Sequence, residues 1–278
     1  MEPQADIRLQ FKKVFLLMAV IFFCANVGNS QHVQFKKPES ITCKPSDDIQ
    51  KRILYEYGAV YISDGAILPG KCRFENESEI ADFVNKFKRL GDSKFEFGEF
   101  YLQPKAKAAL ERVIDALQHN YLRVARNDNK STTVTNGVND DWALRTYAQT
   151  QVNWLYAVNK REWGLKDSIE SLIRRRSPYG PLIFSAAIPG GSQHHLGLAI
   201  DVNAEGVNKC GPECEDALKT NYWYRTVRFD AYHFTYLGFK ETDLPGKGLK
   251  KVVCGGVAYW VPRSDEYETY DYLERGCR

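Results

Sequence analysis

The run Ser192-Gln193-His194-His195-Leu196-Gly197-Leu198-Ala199-Ile200-Asp201-Val202 changes character at its middle. From Gly197 on it follows the two-residue period of a strand, with Gly197, Ala199 and Asp201 on one side and Leu198, Ile200 and Val202 on the other. One face is apolar and suits a core. The other is nearly bare, and its small residues would leave room for the floor of a site. The polar ends of the run, His194 and Asp201, are both competent zinc ligands. They lie an odd number of residues apart, so they share a face only if the chain turns before Gly197. Strict alternation counted back from Asp201 favours His195 over His194, and the residues alone leave the two open.

A third ligand is available downstream, in Phe229-Asp230-Ala231-Tyr232-His233-Phe234-Thr235-Tyr236-Leu237-Gly238, a short turn feeding a second β-rich run. Asp230 and His233 are three apart and would face opposite ways in a straight strand. A turn or bulge at 230–232 brings both towards one metal.

Ser192-x-His194-x-x-Gly197-x-Ala199-x-Asp201, five identities in ten positions, followed by an acid three residues before His233, resembles the signature of the VanY-type zinc D-alanyl-D-alanine carboxypeptidases. The wider group contains L-alanyl-D-glutamate endopeptidases and the hedgehog signalling domain. The resemblance implies Zn2+ held by His194, Asp201 and His233, with Ser192 on the substrate side and Asp230 as general base. Two histidines and one carboxylate leave a coordination position open, the arrangement that lets zinc acidify water for attack on an amide. Leu144-Arg145-Thr146-Tyr147-Ala148-Gln149-Thr150-Gln151 is similar to the family's Arg-Ser-Tyr/Phe-x-x-Gln element, whose arginine faces substrate. The family spacing between arginine and glutamine is five; here Gln149 and Gln151 lie at four and six, so the correspondence stays open between them. Chemically, a guanidinium binds the free carboxylate of a stem peptide as a bidentate fork.

The chain departs from the carboxypeptidase pattern in three places. Asp230 stands where those enzymes carry Glu, as happens in the L-alanyl-D-glutamate endopeptidases. The residues before His233 are Ala-Tyr instead of Pro-Trp. The segment between Asp201 and Asp230 is short and holds Cys210 and Cys214. Glu205, Glu213 and Glu215 in that segment are rival bases if it swings over the metal.

The 278 residues are 44% hydrophobic and 26% charged, ordinary for a folded chain and enough for one sizeable core with an accessory region. The net charge of +3 arises from 38 basic and 35 acidic residues mixed along the chain, which implies no basic face and no nucleic-acid partner. No stable protein partner is inferred either. Arg8, Lys12 and Lys13 before the apolar run Val14–Phe23, with Gly28-Asn29-Ser30 behind it, read as an export signal cleaved before Gln31. Cleavage removes Cys24 and leaves Cys43, Cys72, Cys210, Cys214, Cys254 and Cys277. An even count in an exported chain reads as disulfides. Six cysteines allow fifteen pairings, and the nearest-neighbour set is 43 with 72, 210 with 214, and 254 with 277.

In the accessory region, Ile49, Ile53, Leu54 and Tyr57 share one face of a helix stopped by Gly58, and Ala59–Ser63 with Ala66–Leu68 read as a hairpin about Asp64-Gly65. Asn76 with Glu79 makes a capping box for a helix carrying Ile80, Phe83, Val84 and Phe87. Pro104 opens an amphipathic helix burying Ala109, Leu110, Val113, Ile114 and Leu117. Val252–Trp260 reads as a hairpin around Gly255-Gly256.

The expected protein is α+β, a small antiparallel sheet flanked by helices, behind a small disulfide-linked N-terminal accessory region. Its expected divisions are a signal peptide (1–30), the accessory α/β region (31–98), a zinc peptidase domain (99–246) and a C-terminal extension (247–278). The resemblance implies an exported enzyme, periplasmic or at the cell surface, acting on peptidoglycan stem peptides. D-alanyl-D-alanine carboxypeptidase is its first activity and L-alanyl-D-glutamate-type endopeptidase its second; a catalytically silent wall-binding or signalling module is the alternative from another class.

Overall fold

The computed structural model describes residues 33–44, 48–88, 101–117, 147, 148, 150, 187–202 and 211–264. Helix α1 (Asp48–Tyr57) buries Ile53 and Tyr57, one turn apart on a single face, as the periodicity predicts. It runs without a break into a 3-10 turn, Gly58–Ile62, that buries Gly58, Ala59, Val60 and Tyr61 in succession. The expected hairpin at 59–68 is therefore corrected. Four consecutive residues of this run enter the core from a single turn, and tertiary packing overrides their β-propensity. The Ser63 hydroxyl lies 2.7 Å from the carbonyls of both Val60 and Tyr236, closing the turn and fastening it to the sheet.

Helix α2 (Glu77–Lys88) begins with the expected capping pattern. Asn76 Oδ1 accepts from the Glu79 amide at 3.1 Å, and Glu79 Oε2 reaches back to the Glu75 amide at 2.8 Å. Its buried stripe is Ile80, Phe83, Val84 and Phe87. Helix α3 (Pro104–Ala116) starts on its proline and buries Ala109, Leu110 and Val113, with Ile114 and Leu117 packed at the edge of the core.

Three short strands form the central antiparallel sheet: β1 (Ala199–Asp201), β2 (Trp223–Tyr224) and β3 (His233–Tyr236), in the order β1-β3-β2. Helix α4 (Pro212–Thr220) precedes β2 and packs on it and on α3. After a 3-10 turn at Glu241–Lys247, β4 (Leu249–Cys254) and β5 (Val257–Pro262) make a separate hairpin. Gly255 and Gly256 sit between the paired Cys254 and Val257 with φ +58° and +82°, the two positive values a type I′ connection requires.

The main core draws on both sides of the expected boundary at 98. Ile41, Val60, Phe83 and Phe87 pack in one cluster with Leu110, Leu198, Ile200, Trp223 and Phe234. A second cluster joins Phe35 and Ala59 to Tyr224, Leu237, Leu244, Leu249 and Trp260, so the C-terminal hairpin also closes over the accessory segment. Each large side chain fully buried here contributes about 1.5–3 kcal/mol. Cys43 and Cys72 form a disulfide with Cα atoms 5.4 Å apart, as the nearest-neighbour set has it. Cys214 and Cys254 are also disulfide-bonded, and Cys210 and Cys277 lie outside the described residues. The segment 1–30 lies outside them too; among the described residues no helix is long and apolar enough to cross a membrane.

Candidate metal centre

The chain does turn before Gly197. Ser192 caps a 3-10 turn over Gln193–Leu196, its hydroxyl oxygen accepting from the His194 amide at 3.3 Å, and Gly197 closes the turn with φ +62°. A Cβ at Gly197 would stand 2.8 Å from the Phe87 ring, so α2 fills the space beside this glycine. The bare floor expected on this face is corrected at Gly197 alone, where the small residue serves close packing of backbone on ring; Ala199 shares the Asp201 face of the strand. Leu198, Ile200 and Val202 enter the core as the alternation requires.

The turn reorients the histidine pair. His194 faces Asp201, with Nε2 3.2 Å from Oδ1. His195 is turned away, its Nε2 3.2 Å from the Thr150 hydroxyl and its ring edge-on to Phe74. His233 arrives from β3. The register pairs Asp201 directly with His233, which sets their side chains on one face of the sheet, and His233 Nδ1 lies 3.2 Å from the same Asp201 oxygen. The two histidine rings meet at 82° with centroids 4.7 Å apart.

One ligand atom from each of His194, Asp201 and His233 falls within 4.8 Å of the others, and all three residues are buried. Two donors of one tetrahedral zinc ion, with bonds near 2.0–2.2 Å, stand about 3.3 Å apart, close to the two 3.2 Å separations here. Two imidazoles and a carboxylate are the donor set of an open zinc site. The residues present therefore fit a metal ion.

Asp230 lies outside this group, at intermediate exposure, on the turn that leads into β3. Its amide donates to the Val227 carbonyl at 3.2 Å, and the His233 amide donates to the Asp230 carbonyl at 3.4 Å, the turn expected at 230–232. Phe229 has φ +64°, a position of such turns where Gly is usual. Arg225 holds the turn from inside: Nε donates to the Ala231 carbonyl at 2.7 Å and the guanidinium stacks on Phe234. Burial, with the Asp230 charge adding, pushes the Tyr259 phenol up to about 12. Burial also raises Tyr57 well above the ordinary phenol range, with Glu56 and Asp230 adding to the shift.

Of the rival carboxylates, the two among the described residues are placed away from the metal group. Glu215 is engaged by Arg225 at 2.7 Å, Glu213 is exposed in the first turn of α4, and Glu205 lies outside the described residues. Arg145, Gln149 and Gln151 also lie outside them. Beside the Pro189–Gly190 turn is a cleft of about 550 Å³ lined by Thr42, Lys44, Gln50, Lys71, Arg73, Glu75 and Tyr147, and Arg73 Nε donates to the Pro189 carbonyl at 2.9 Å.

Three polar residues around the site went unread in the sequence: Gln193, Thr226 and Thr235. Thr235 stands two residues past His233 in a strand, so the period places it on the same face. Gln193 and Thr226 carry no such signal.

No family model matches the chain, and no curated protein matches it in sequence. Among solved structures it is similar to the vancomycin resistance D,D-pentapeptidase VanY of a VanB-type cassette, a mutant form in complex with Zn(II). The identity is 20%, with TM-score 0.34, over 50% of this chain and 75% of that one. It is similar to the LdcB LD-carboxypeptidase at 19% identity and TM-score 0.33, over 54% and 67%. DacB from Streptococcus pneumoniae matches at 20% and 0.31, over 56% and 76%. The donor set and its geometry, not these likenesses, carry the functional reading.

Proposed function

We propose that the protein is an exported zinc metallopeptidase that hydrolyses peptidoglycan stem peptides, first as a D-alanyl-D-alanine carboxypeptidase. The observation that carries the reading is the buried His194–Asp201–His233 group, whose order and spacing in the chain match the motif the sequence resembles. Zinc, when bound, supplies Lewis acidity that acidifies water and polarises an amide carbonyl. His194, Asp201 and His233 hold the ion. Asp230 takes the proton of the attacking water and returns it to the leaving amine nitrogen. Arg145 pairs with the free carboxylate of the substrate, Ser192 and one of Gln149 and Gln151 line its path, and the cationic Lys44, Lys71 and Arg73 suit an acidic peptide. Aspartate at position 230 favours a second reading, an L-alanyl-D-glutamate-type endopeptidase.

Zinc-loaded protein incubated with muropeptides and followed by mass tests the proposal. Loss of one terminal alanine is expected, and release of a larger fragment selects the second reading. No change in any stem peptide overturns both in favour of a silent wall-binding or signalling module. Asp230→Asn should retain zinc and lose about 10²- to 10⁴-fold in rate, the scale of general acid–base work.

A further inference from the structure

Gln193 is almost fully buried and touches four polar groups from three other parts of the chain. Its Nε2 donates to the carbonyl of Tyr57, at the end of α1, at 2.6 Å. Its Oε1 lies 2.7 Å from His233 Nε2, 2.9 Å from the Thr226 hydroxyl and 2.5 Å from the Thr235 hydroxyl. A backbone carbonyl only accepts, so the Tyr57 contact decides which end of the amide is nitrogen. The end that faces His233 is then oxygen, which also only accepts, so the shorter of the two contacts at this nitrogen is a hydrogen bond when His233 carries its proton on Nε2; Thr235 Oγ1, 3.2 Å away, is then a second acceptor for the same N–H. The opposite tautomer would set two acceptors against each other at 2.7 Å in a buried site. Both threonine hydroxyls lie within donating distance of Oε1 and 2.8 Å from each other. The arrangement in which one donates to Oε1 and the other to its neighbour leaves Oε1 a lone pair for His233.

With the proton on Nε2, His233 Nδ1 presents a lone pair to Asp201 Oδ1 at 3.2 Å. Two electron-rich atoms facing each other at that distance suit a cation between them. We propose that Gln193 is a positioning residue: its side-chain carbonyl holds the Nε2–H tautomer of His233 and so readies Nδ1 as a metal ligand. The inference rests on the proposed metal reading and adds a residue to it. Such outer partners of a ligating histidine fix its ring and its tautomer. Through the Tyr57 carbonyl, the amide itself is anchored by the accessory region.

The test uses the full chain with ¹⁵N-labelled histidine. Ring-nitrogen NMR of the metal-free wild-type protein, taken above the pH at which the ring loses its second proton, should show neutral His233 as the Nε2–H form. Gln193→Met, which keeps the shape and removes the acceptor, should shift the ring towards Nδ1–H donating to Asp201. It should also lower zinc affinity by about 10- to 100-fold in chelator competition. Gln193→Glu keeps an acceptor and should keep the Nε2–H form. An Nδ1–H ring in the wild-type protein overturns the proposal, as does unchanged zinc affinity in Gln193→Met. Because the tautomer is read without zinc, wild-type protein that shows the Nε2–H form and takes up no zinc overturns the metal reading instead.

Discussion

Two adjacent histidines, both wholly buried, do different work because a single 3-10 turn aims them apart. His194 meets Asp201, while His195 spends its ring on Thr150 and Phe74. His194→Ala should abolish metal retention. His195→Ala should keep the metal and lose about 1–3 kcal/mol of stability, the cost of unpairing a buried polar partner. Metal analysis with urea melts of both variants checks this, and stoichiometric metal in His194→Ala would sink the ligand assignment. Gly197 is the hinge of the same turn. Its φ of +62° and the Phe87 ring 2.8 Å from a would-be Cβ both oppose a side chain. Gly197→Ala should cost about 1–2 kcal/mol in the backbone and a further ~1–3 kcal/mol of overpacking. Gly70→Ala, where a Cβ meets nothing within 4 Å, is the control and should melt like the wild type.

Among the elements, β1 and β3 matter most, because three paired positions decide which residues share a face. Asp201 opposite His233 and Ala199 opposite Thr235 put the ligands and the threonine on one side. Ile200 and Phe234 occupy the other, in the core. A one-residue slip of either strand would turn its own member of the Asp201–His233 pair towards the apolar side and part the two. The β4–β5 hairpin is held at its base by Glu241, whose Oε1 accepts from Lys251 Nζ at 2.9 Å and from Trp260 Nε1 at 3.2 Å. The Lys251 hydrogen bond holds the Glu241 carboxyl below the usual range. A depressed folded pKa means stability that is present above the unfolded value, near 4.3, and lost as pH falls through the folded one. The pair is partly exposed, so the contribution should stay under about 1 kcal/mol. Glu241→Gln should therefore be slightly less stable than the wild type near neutrality, and the gap should close in acid. Urea melts at about pH 7 and about pH 3 measure it.

For the molecule as a whole, the accessory region is part of the site's support. α1 supplies the Tyr57 carbonyl to Gln193, and the 3-10 turn after it is fastened to β3 through Ser63. The Cys43–Cys72 disulfide closes a loop, 29 residues in separation, that contains all of these. Replacing both cysteines by Ser should cost about 2–4 kcal/mol through the freed unfolded chain. A thermal melt of the double variant, with wild-type protein before and after reduction, checks it. An unchanged melting temperature would mean that the packing of Ile41 and Phe35 alone holds the segment.

What the sequence by itself determined was local and periodic. The capping box at Asn76 and Glu79, the proline opening α3, the glycine pair between β4 and β5, and the apolar stripes all depend on neighbours within a few residues, where backbone sterics and hydrogen bonding decide the outcome. The three candidate ligands were legible because the motif resemblance carries them, not because their periodicity agreed: strict alternation pointed to His195. Only the tertiary structure shows how His194 comes to face Asp201, through a 3-10 turn that breaks the alternation between the Ser192 cap and the Phe87 ring. Packing likewise turned the expected strand at 59–63 into a 3-10 turn that places four consecutive residues in the core and ties Ser63 to β3. Gln193 acquired its role in the same way: four hydrogen-bonding partners far apart in the chain converge on one amide only after the core has closed.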